Sequence, residues 1–182
     1  MTALDFFARW RVRLGYLLAI VALWLARPTP RSILVGGFVG LFGLAIRAYA
    51  AGYLHKQEVL TVTGPYARTR NPLYFGSSIL MVGAALAMHS LWAGALLLVY
   101  FALVYTMVMR REEMELRSQH GAAFDAYAAS VPLFFPRLIL GSSSAPSAGF
   151  SWKQYRKNHE YQAAIGFILL LIGLLAIWRL RA

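Results

Sequence analysis

The sequence contains no cysteine and few acidic residues. Without cysteine the chain forms no disulfide, has no thiolate nucleophile and offers no sulfur ligand of that kind to a metal. Seven Asp and Glu stand against eighteen Lys and Arg, which gives a formal net charge of +11 at pH 7. Such an excess fits binding to nucleic acid, binding to anionic lipid, or an orientation signal in a membrane protein. Cysteine chemistry is therefore excluded, and three explanations of the charge remain.

The positions of the polar residues argue against a metal site and against nucleic-acid binding. The four histidines are scattered along the chain without close metal-ligand spacing: His55, His89, His120 and His159. The basic residues lie between long apolar runs, not on one polar domain with a nucleic-acid-binding motif. We predict neither a metal nor a nucleic-acid partner.

Long apolar runs dominate the chain, with 59% hydrophobic residues and a mean hydropathy of +0.56. A membrane-spanning helix needs roughly 20 apolar residues. The charge-free run 73–109 is long enough for two helices joined at His89-Ser90. The predicted spans are 14–26 (extended backwards through Phe6, Phe7 and Trp10), 32–54, the hairpin at about 72–109, and 163–178. We predict an all-α integral membrane bundle of about five transmembrane helices, a single domain over 1–182.

Two segments near the ends of the chain allow further expectations. Arg9, Arg11 and Arg13 precede a short apolar core, so the first span also fits a cleaved signal peptide,. Near the other end, a linker-like stretch at 141–149 precedes an aromatic and basic segment, 150–161, expected to anchor at a lipid interface. With the last span, this segment forms the region 150–182.

The distribution of positive charge predicts the orientation. With an inside N-terminus, thirteen of the eighteen Lys and Arg lie on the cytoplasmic side, four lie outside, and Arg47 lies within a span. This bias follows the positive-inside rule and places the connections 55–71 and 110–161 in the cytoplasm. We expect a multi-pass protein of a bacterial plasma membrane. A charge within a span is costly, so Arg47 is either functional or snorkels to the interface.

The segment 64–77 leads into the hairpin and predicts a helix start. Asn71 precedes Pro72, so Asn71 suits the N-cap and Pro72 the first turn. The free N–H groups there, beside Arg68 and Arg70, favour an anionic group such as a carboxylate or phosphate. A capped helix with snorkelling arginines gives the same pattern. Gly76 and Gly83, two turns apart on one face of this helix, fit close approach of a neighbouring helix or of a ligand.

The segment 110–136 follows the hairpin and concentrates negative charge. Three of the seven acidic residues lie within its first six positions: Glu112, Glu113 and Glu115. A helix in water with the pairs Arg111–Glu115 and Glu113–Arg117 would explain them. Alternatively, carboxylates at a membrane surface would hold a cationic or hydroxyl-bearing ligand.

Together the two segments resemble the isoprenylcysteine carboxyl methyltransferase and phospholipid methyltransferase family. The matching elements are, in order, Gly64-Pro65-Tyr66, Arg70-Asn71-Pro72-Leu73-Tyr74-Phe75-Gly76, Glu112-Glu113-Met114-Glu115-Leu116, His120-Gly121, Phe124, Tyr127, and Val131-Pro132 to Pro136. They define a motif core over 64–136. Asn71 replaces the family's His, His120 replaces a Phe, and Phe124 replaces the first Tyr. Because Asn is not a base near pH 7, residue 71 cannot abstract a proton.

The resemblance implies methyl transfer from S-adenosylmethionine, bound on the cytoplasmic side, to a lipid-borne or hydrophobic acceptor. Such a displacement depends on in-line positioning and a dry pocket. The catalytic residues it implies are Arg70, Glu113 and Arg117. The cofactor-binding residues it implies are Tyr66, Asn71, Pro72, Tyr74, Gly76, Glu112, Glu113 and Tyr127. Glu112 and Glu113 would hold hydroxyl or ammonium groups, while Arg70, Asn71 and the helix start would hold a carboxylate.

The acceptor stays open at this stage. A carboxylate on a prenylated cysteine, a phospholipid amine and another small hydrophobic molecule are all compatible with the motifs. The competing class is a non-enzymatic membrane transporter or assembly subunit. A transporter would show ionisable residues or helix breaks at mid-membrane, for which only Arg47 and His89 are candidates. The sequence does not predict an oligomeric state.

Overall fold

The computed structural model describes residues 3–55, 59–137 and 149–181, with side chains described from residue 13 onwards. Within these ranges the chain is helical and has no strand. The helices are α1 (Ala3–Leu25), α2 (Pro30–Tyr53), α3 (Pro72–Met88), α4 (Leu91–His120), α5 (Ala122–Ser130), α6 (Trp152–Lys157) and α7 (Tyr161–Arg181), with a 3₁₀ turn at Gly64–Ala67. The predicted all-α fold is confirmed. The predicted linker lies outside the described residues except for Gly149, as do the side chains of Phe6, Phe7 and Trp10.

Three helices are long and apolar enough to cross a membrane: α2, α4 and α7. The apolar part of α1, Arg13–Leu25, and the whole of α3 are shorter. At about 1.5 Å per residue, α3 rises about 26 Å, just under the thickness of a hydrocarbon core. The chain is an integral membrane protein. Three of the five predicted spans reach full length, and the other two are short apolar helices.

The turn between α3 and α4 confirms the predicted helical hairpin. α3 ends at Met88, and His89 takes a left-handed conformation with φ of 48°. Left-handed residues commonly end helices, and Asn or His tolerates this conformation better than β-branched residues do. The Ser90 hydroxyl then accepts a hydrogen bond from the Ala93 N–H, at 3.4 Å, and so caps α4,.

The chain forms two compact units, and several helices contribute to both. We call the first the apolar unit (Met1–Leu41, Ile79–Val108 and Gly166–Ala182) and the second the motif unit (Phe42–Ser78 and Met109–Ile165). In the apolar unit, a Cβ on Gly36 would lie 2.4 Å from the Gly83 carbonyl oxygen. The backbones of α2 and α3 are therefore in direct contact there. This close helix packing accounts for the glycine at position 83. The predicted site residues all belong to the motif unit.

Candidate functional site

The two motif segments are tied together through their loops. The Arg70 N–H donates to the Pro132 carbonyl at 2.9 Å. The Thr69 hydroxyl donates to the Phe134 carbonyl at 2.9 Å, and this side chain is 2% exposed. Buried polar groups are normally hydrogen-bonded, and these bonds join residues far apart in sequence. The two motif segments are therefore in direct contact in the structure.

Two buried tyrosines connect the same segments. The Tyr127 hydroxyl donates to the Tyr66 carbonyl at 2.7 Å, and Arg70 Nη1 donates to the Ala128 carbonyl at 2.7 Å. Burial raises the pKa of Tyr66 well above its usual value. Burial also raises the pKa of Tyr127, although the nearby Arg70 opposes the shift. Both phenols are therefore neutral hydrogen-bond donors at physiological pH.

A cavity of about 440 Å³ lies within the motif unit. Its size falls in the range of small-molecule and cofactor sites. The predicted site residues that line it are Tyr66, Arg70, Asn71, Pro72, Tyr74, Glu112, Glu113 and Tyr127. The polar lining residues outside that predicted set are Arg47, His55, Thr61, Glu115, Gln119, His120 and Glu160. Eight of the ten predicted site residues thus line the cavity.

The structure places two predicted site residues elsewhere. Arg117 Nε lies 2.7 Å from Asp125 Oδ1, and both side chains are more than half exposed. Gly76 packs against α2, since a Cβ there would lie 2.9 Å from the Gly43 carbonyl oxygen and 2.8 Å from Arg47 Cγ. Gly76 is therefore accounted for by helix packing.

One of the two expected surface ion pairs forms and the other does not. Arg111 Nε lies 2.9 Å from Glu115 Oε1, as helical spacing predicts,. Glu113 instead pairs with Arg70, whose Nε lies 2.7 Å from Glu113 Oε1. The expectation of a Glu113–Arg117 pair was wrong because a better-buried partner comes from the other motif segment.

The start of α3 faces the cavity. α3 begins at Pro72 as predicted, and Pro72, Leu73 and Tyr74 all line the cavity. The N–H groups of a helix's first turn have no acceptor within the helix and attract anions. Asn71 uses its side-chain amide to donate to the Leu133 carbonyl at 3.1 Å. This residue therefore holds the loop that presents the helix start.

Negative charge is concentrated around the cavity. Four of the seven acidic residues line it: Glu112, Glu113, Glu115 and Glu160. Among the described lining residues the arginines are Arg47 and Arg70, and each pairs with a glutamate. Glu112 accepts a hydrogen bond from the Tyr74 hydroxyl at 2.6 Å. In a chain with a net charge of +11, the cavity thus has an excess of carboxylates.

The Tyr66 hydroxyl is buried at the cavity wall. Tyr66 is 7% exposed, and its hydroxyl has no hydrogen-bond partner in the part of the chain that the structure describes. A buried hydroxyl without a partner costs about 1–3 kcal/mol.

Arg47 and Glu160 form an ion pair that the sequence analysis did not anticipate. Arg47 Nε and Nη2 both contact the Glu160 carboxylate, with the shortest distance 2.8 Å. Arg47 Nη1 also donates to the Ser77 hydroxyl and to the Leu73 carbonyl. The charge of Arg47 is therefore paired within the protein, which excludes simple snorkelling. The sequence feature that could have pointed to Glu160 is its position as an acidic residue directly before an apolar run.

The segment 150–161 brings Glu160 to the cavity by closing the end of α2. Gln154 Nε2 donates to the Leu54 carbonyl at 2.7 Å, and Asn158 Nδ2 donates to the Ala51 carbonyl at 2.9 Å. The last carbonyls of a helix need such partners. Trp152 remains 65% exposed, as expected of an interfacial residue. The segment therefore caps α2 in addition to its predicted role as an anchor.

Comparisons with known proteins give one family and two relatives. The sequence profile of the family described as phospholipid methyltransferase matches residues 10–123, more than half of the chain. The nickel-cobalt-cadmium resistance protein NccN of Alcaligenes xylosoxydans xylosoxydans is 37% identical over 113 residues, which cover 59% of this chain and 53% of that protein. The cobalt-zinc-cadmium resistance protein CzcN of Cupriavidus metallidurans is 33% identical over 138 residues, covering 72% and 63%. The chain thus spans less than two thirds of either relative, and no solved structure matches it.

Proposed function

This chain belongs to the phospholipid methyltransferase family, and on that premise we propose that its cavity binds S-adenosylmethionine and that the protein methylates a hydrophobic acceptor. The observation that carries the proposal is the cavity itself. Four of the seven carboxylates of a strongly basic chain surround it, together with the start of a helix. These are complementary groups for a molecule that carries cationic, hydroxyl and carboxylate parts at once.

The polar groups of the cavity fit the cofactor. Glu112 and Glu113 offer acceptors for ribose hydroxyls or an ammonium group. The first turn of α3 offers N–H groups and a positive dipole end to a carboxylate. The Tyr66 hydroxyl offers a donor that lacks a partner among the described residues. Arg70 is engaged by Glu113 and by the Ala128 carbonyl, so its proposed role changes from binding a carboxylate to fixing Glu113.

When bound, S-adenosylmethionine supplies a methyl group on positively charged sulfur, and transfer to an amine nitrogen forms a C–N bond as the C–S bond breaks to leave a neutral thioether. The protein needs to hold the reactants in line and exclude water. The buried tyrosines and the apolar lining residues, such as Leu73, Leu116 and Phe124, serve the second purpose.

The charge of the cavity favours an amine acceptor over a carboxylate acceptor. Both lining arginines, Arg47 and Arg70, already pair with glutamates. An acidic head would therefore meet more carboxylates than available cations, which is unfavourable in a partly buried site. Of the acceptors that the sequence left open, we favour a lipid amine over the carboxylate of a prenylated cysteine.

The two relatives are named for resistance to metals, which suggests a different class of function. Within the described ranges, no three His, Asp and Glu side chains are grouped so that they would hold a metal ion. We propose no direct metal binding.

Methyl labelling tests the proposed activity. The purified protein in detergent is incubated with methyl-labelled S-adenosylmethionine and a polar lipid extract of its native membrane. We expect label in an amine-containing lipid fraction. Asp125→Asn is the matched control, because Asp125 lies in an exposed ion pair, and it should label as fast as wild type. Absence of label from every hydrophobic fraction would refute transfer to such an acceptor.

A further inference from the structure

The polar groups around the cavity contact α3 at two levels. Arg70 and Asn71 lie at the helix start, whereas Arg47, which lines the cavity, contacts the Leu73 carbonyl and also Ser77. Ser77 lies behind the lining residues, five positions beyond Pro72. At about 1.5 Å per residue this is about 7.5 Å further along an apolar helix. We call Arg47, Ser77 and Glu160 the inner layer.

The helices that carry the inner layer are apolar. Arg47 lies within the span α2, and Glu160 directly precedes the span α7. Glu112 and Glu113, in contrast, belong to the charged end of α4, which follows its apolar part. The charged end of α4 and the start of α3 match a cofactor with many polar groups. The inner layer, carried by apolar helices, matches a lipid head group that enters from the bilayer.

Arg47 itself offers little to a ligand. Its guanidinium donates to Glu160 through Nε and Nη2, and to Ser77 and Leu73 through Nη1. This forked arrangement fixes the Glu160 carboxylate, whose side chain is 9% exposed,. A carboxylate has about four lone-pair sites, and the three contacts from Arg47 do not exhaust them. Of the pair, Glu160 is therefore the member able to bind a further group.

We propose that Glu160, held in place by Arg47, binds the positively charged head of the hydrophobic acceptor and so determines acceptor specificity. This inference rests on the proposed function and extends it to a residue outside the family match at 10–123. Arg47 is a positioning residue that acts through Glu160. The bound ammonium head gives up one proton to water before transfer, and the neutral nitrogen then attacks the methyl carbon as the C–S bond breaks. Positive charge thus moves from sulfur to nitrogen, and a carboxylate beside the nitrogen favours both the bound ammonium and the charged product.

The test separates acceptor binding from donor binding. Glu160→Gln keeps the shape but removes the charge, so the apparent KM for the lipid extract should rise about tenfold or more. The calorimetric Kd for S-adenosylmethionine should stay within about twofold, because the inner layer does not hold the donor. In wild type, dodecylamine should compete with the extract and dodecanol should not.

A second variant guards against misfolding. Glu160→Gln leaves Arg47 without its charge partner, whereas the double variant Arg47→Gln/Glu160→Gln removes both charges and leaves neither buried alone. The double variant should show the same rise in acceptor KM with unchanged donor Kd. The single variant Arg47→Lys keeps Glu160 and a positive charge at position 47. It should bind the acceptor more tightly than the double variant but less tightly than wild type, because lysine keeps the charge without the forked geometry of arginine.

The outcomes are distinguishable. If either folded variant binds the donor and keeps a wild-type acceptor KM, Glu160 does not bind the acceptor and the inference is wrong while the proposed function stands. Equal competition by dodecylamine and dodecanol would also overturn it. If wild type itself binds no S-adenosylmethionine, the proposed function fails and the inference falls with it.

Discussion

At the scale of single residues, Tyr66 combines burial with a hydroxyl that lacks a partner among the described residues. Tyr66→Phe removes this hydroxyl and its desolvation cost, so the unliganded protein should be as stable as wild type or more stable. The affinity for S-adenosylmethionine should fall about fivefold to tenfold, since one hydrogen bond is lost. Thermal unfolding without ligand and calorimetry with it measure the two effects.

Tyr127→Phe is the matched control for this experiment. It removes the bond from the Tyr127 hydroxyl to the Tyr66 carbonyl, so it should destabilise the unliganded protein by about 1 kcal/mol,. If both variants lose stability equally, the Tyr66 hydroxyl has a partner within the protein, and its assignment to a ligand is wrong.

The same two tyrosines predict a stability limit at alkaline pH. Burial raises the pKa of both Tyr66 and Tyr127 above the value of about 10 in an unfolded chain,. Above pH 10 the unfolded state loses these protons first and binds fewer of them than the folded state, so stability falls as pH rises. Their contribution is fully present below pH 10. The double variant Tyr66→Phe/Tyr127→Phe should show a smaller loss of thermal stability between pH 9 and pH 11 than wild type, and an equal loss would contradict the assignment.

Whether a residue could be predicted depended on the range of its interaction. Asn71 and Pro72 predicted the start of α3 because capping acts over a few residues. Glu113 and Arg117 satisfied the same kind of local rule, yet Glu113 pairs with Arg70. The pair between Arg47 and Glu160 was not predicted because the two residues are 113 positions apart, and no local pattern encodes such a pair.

At the scale of elements, the helices were predictable from apolar runs, and the exceptions have physical reasons. The hairpin followed from a charge-free run too long for one span. The aromatic and basic residues of α6 predict an interfacial anchor. Its second role depends on Gln154 and Asn158, whose amides reach the carbonyl end of α2, and composition does not reveal this.

The capping role of α6 gives a prediction for this element. Asn158→Ala removes two bonds, to the Ala51 and Leu54 carbonyls, and should destabilise the protein by about 1–3 kcal/mol,. Among the described residues, the Ala51 carbonyl then keeps only the Leu54 N–H as a donor, and the Leu54 carbonyl keeps only Gln154 Nε2. Lys153→Ala, on the exposed side of the same helix, should change stability little. Thermal unfolding in detergent compares them. Equal stability of the two variants would contradict the proposed capping of α2 by this segment.

At the scale of the whole molecule, the distribution of basic residues predicts the orientation in the membrane. With the N-terminus inside, thirteen of eighteen Lys and Arg lie in the cytoplasm, and we propose that the motif unit opens there, towards the cofactor,. A reporter fused after Ser144 should be cytoplasmic, and one fused after Ala182 should be external. The reverse pattern would place the cavity on the side of the membrane away from the cofactor.

The central claim is that the cavity of the motif unit binds S-adenosylmethionine, and calorimetry on the purified protein tests it most directly. We predict saturable binding to wild type and to Asp125→Asn, and a Kd raised about tenfold or more in Glu113→Gln, since this change removes a charged acceptor from the cavity wall,. Absence of binding to folded wild type, or a Glu113→Gln variant that binds as tightly as wild type, would contradict the account.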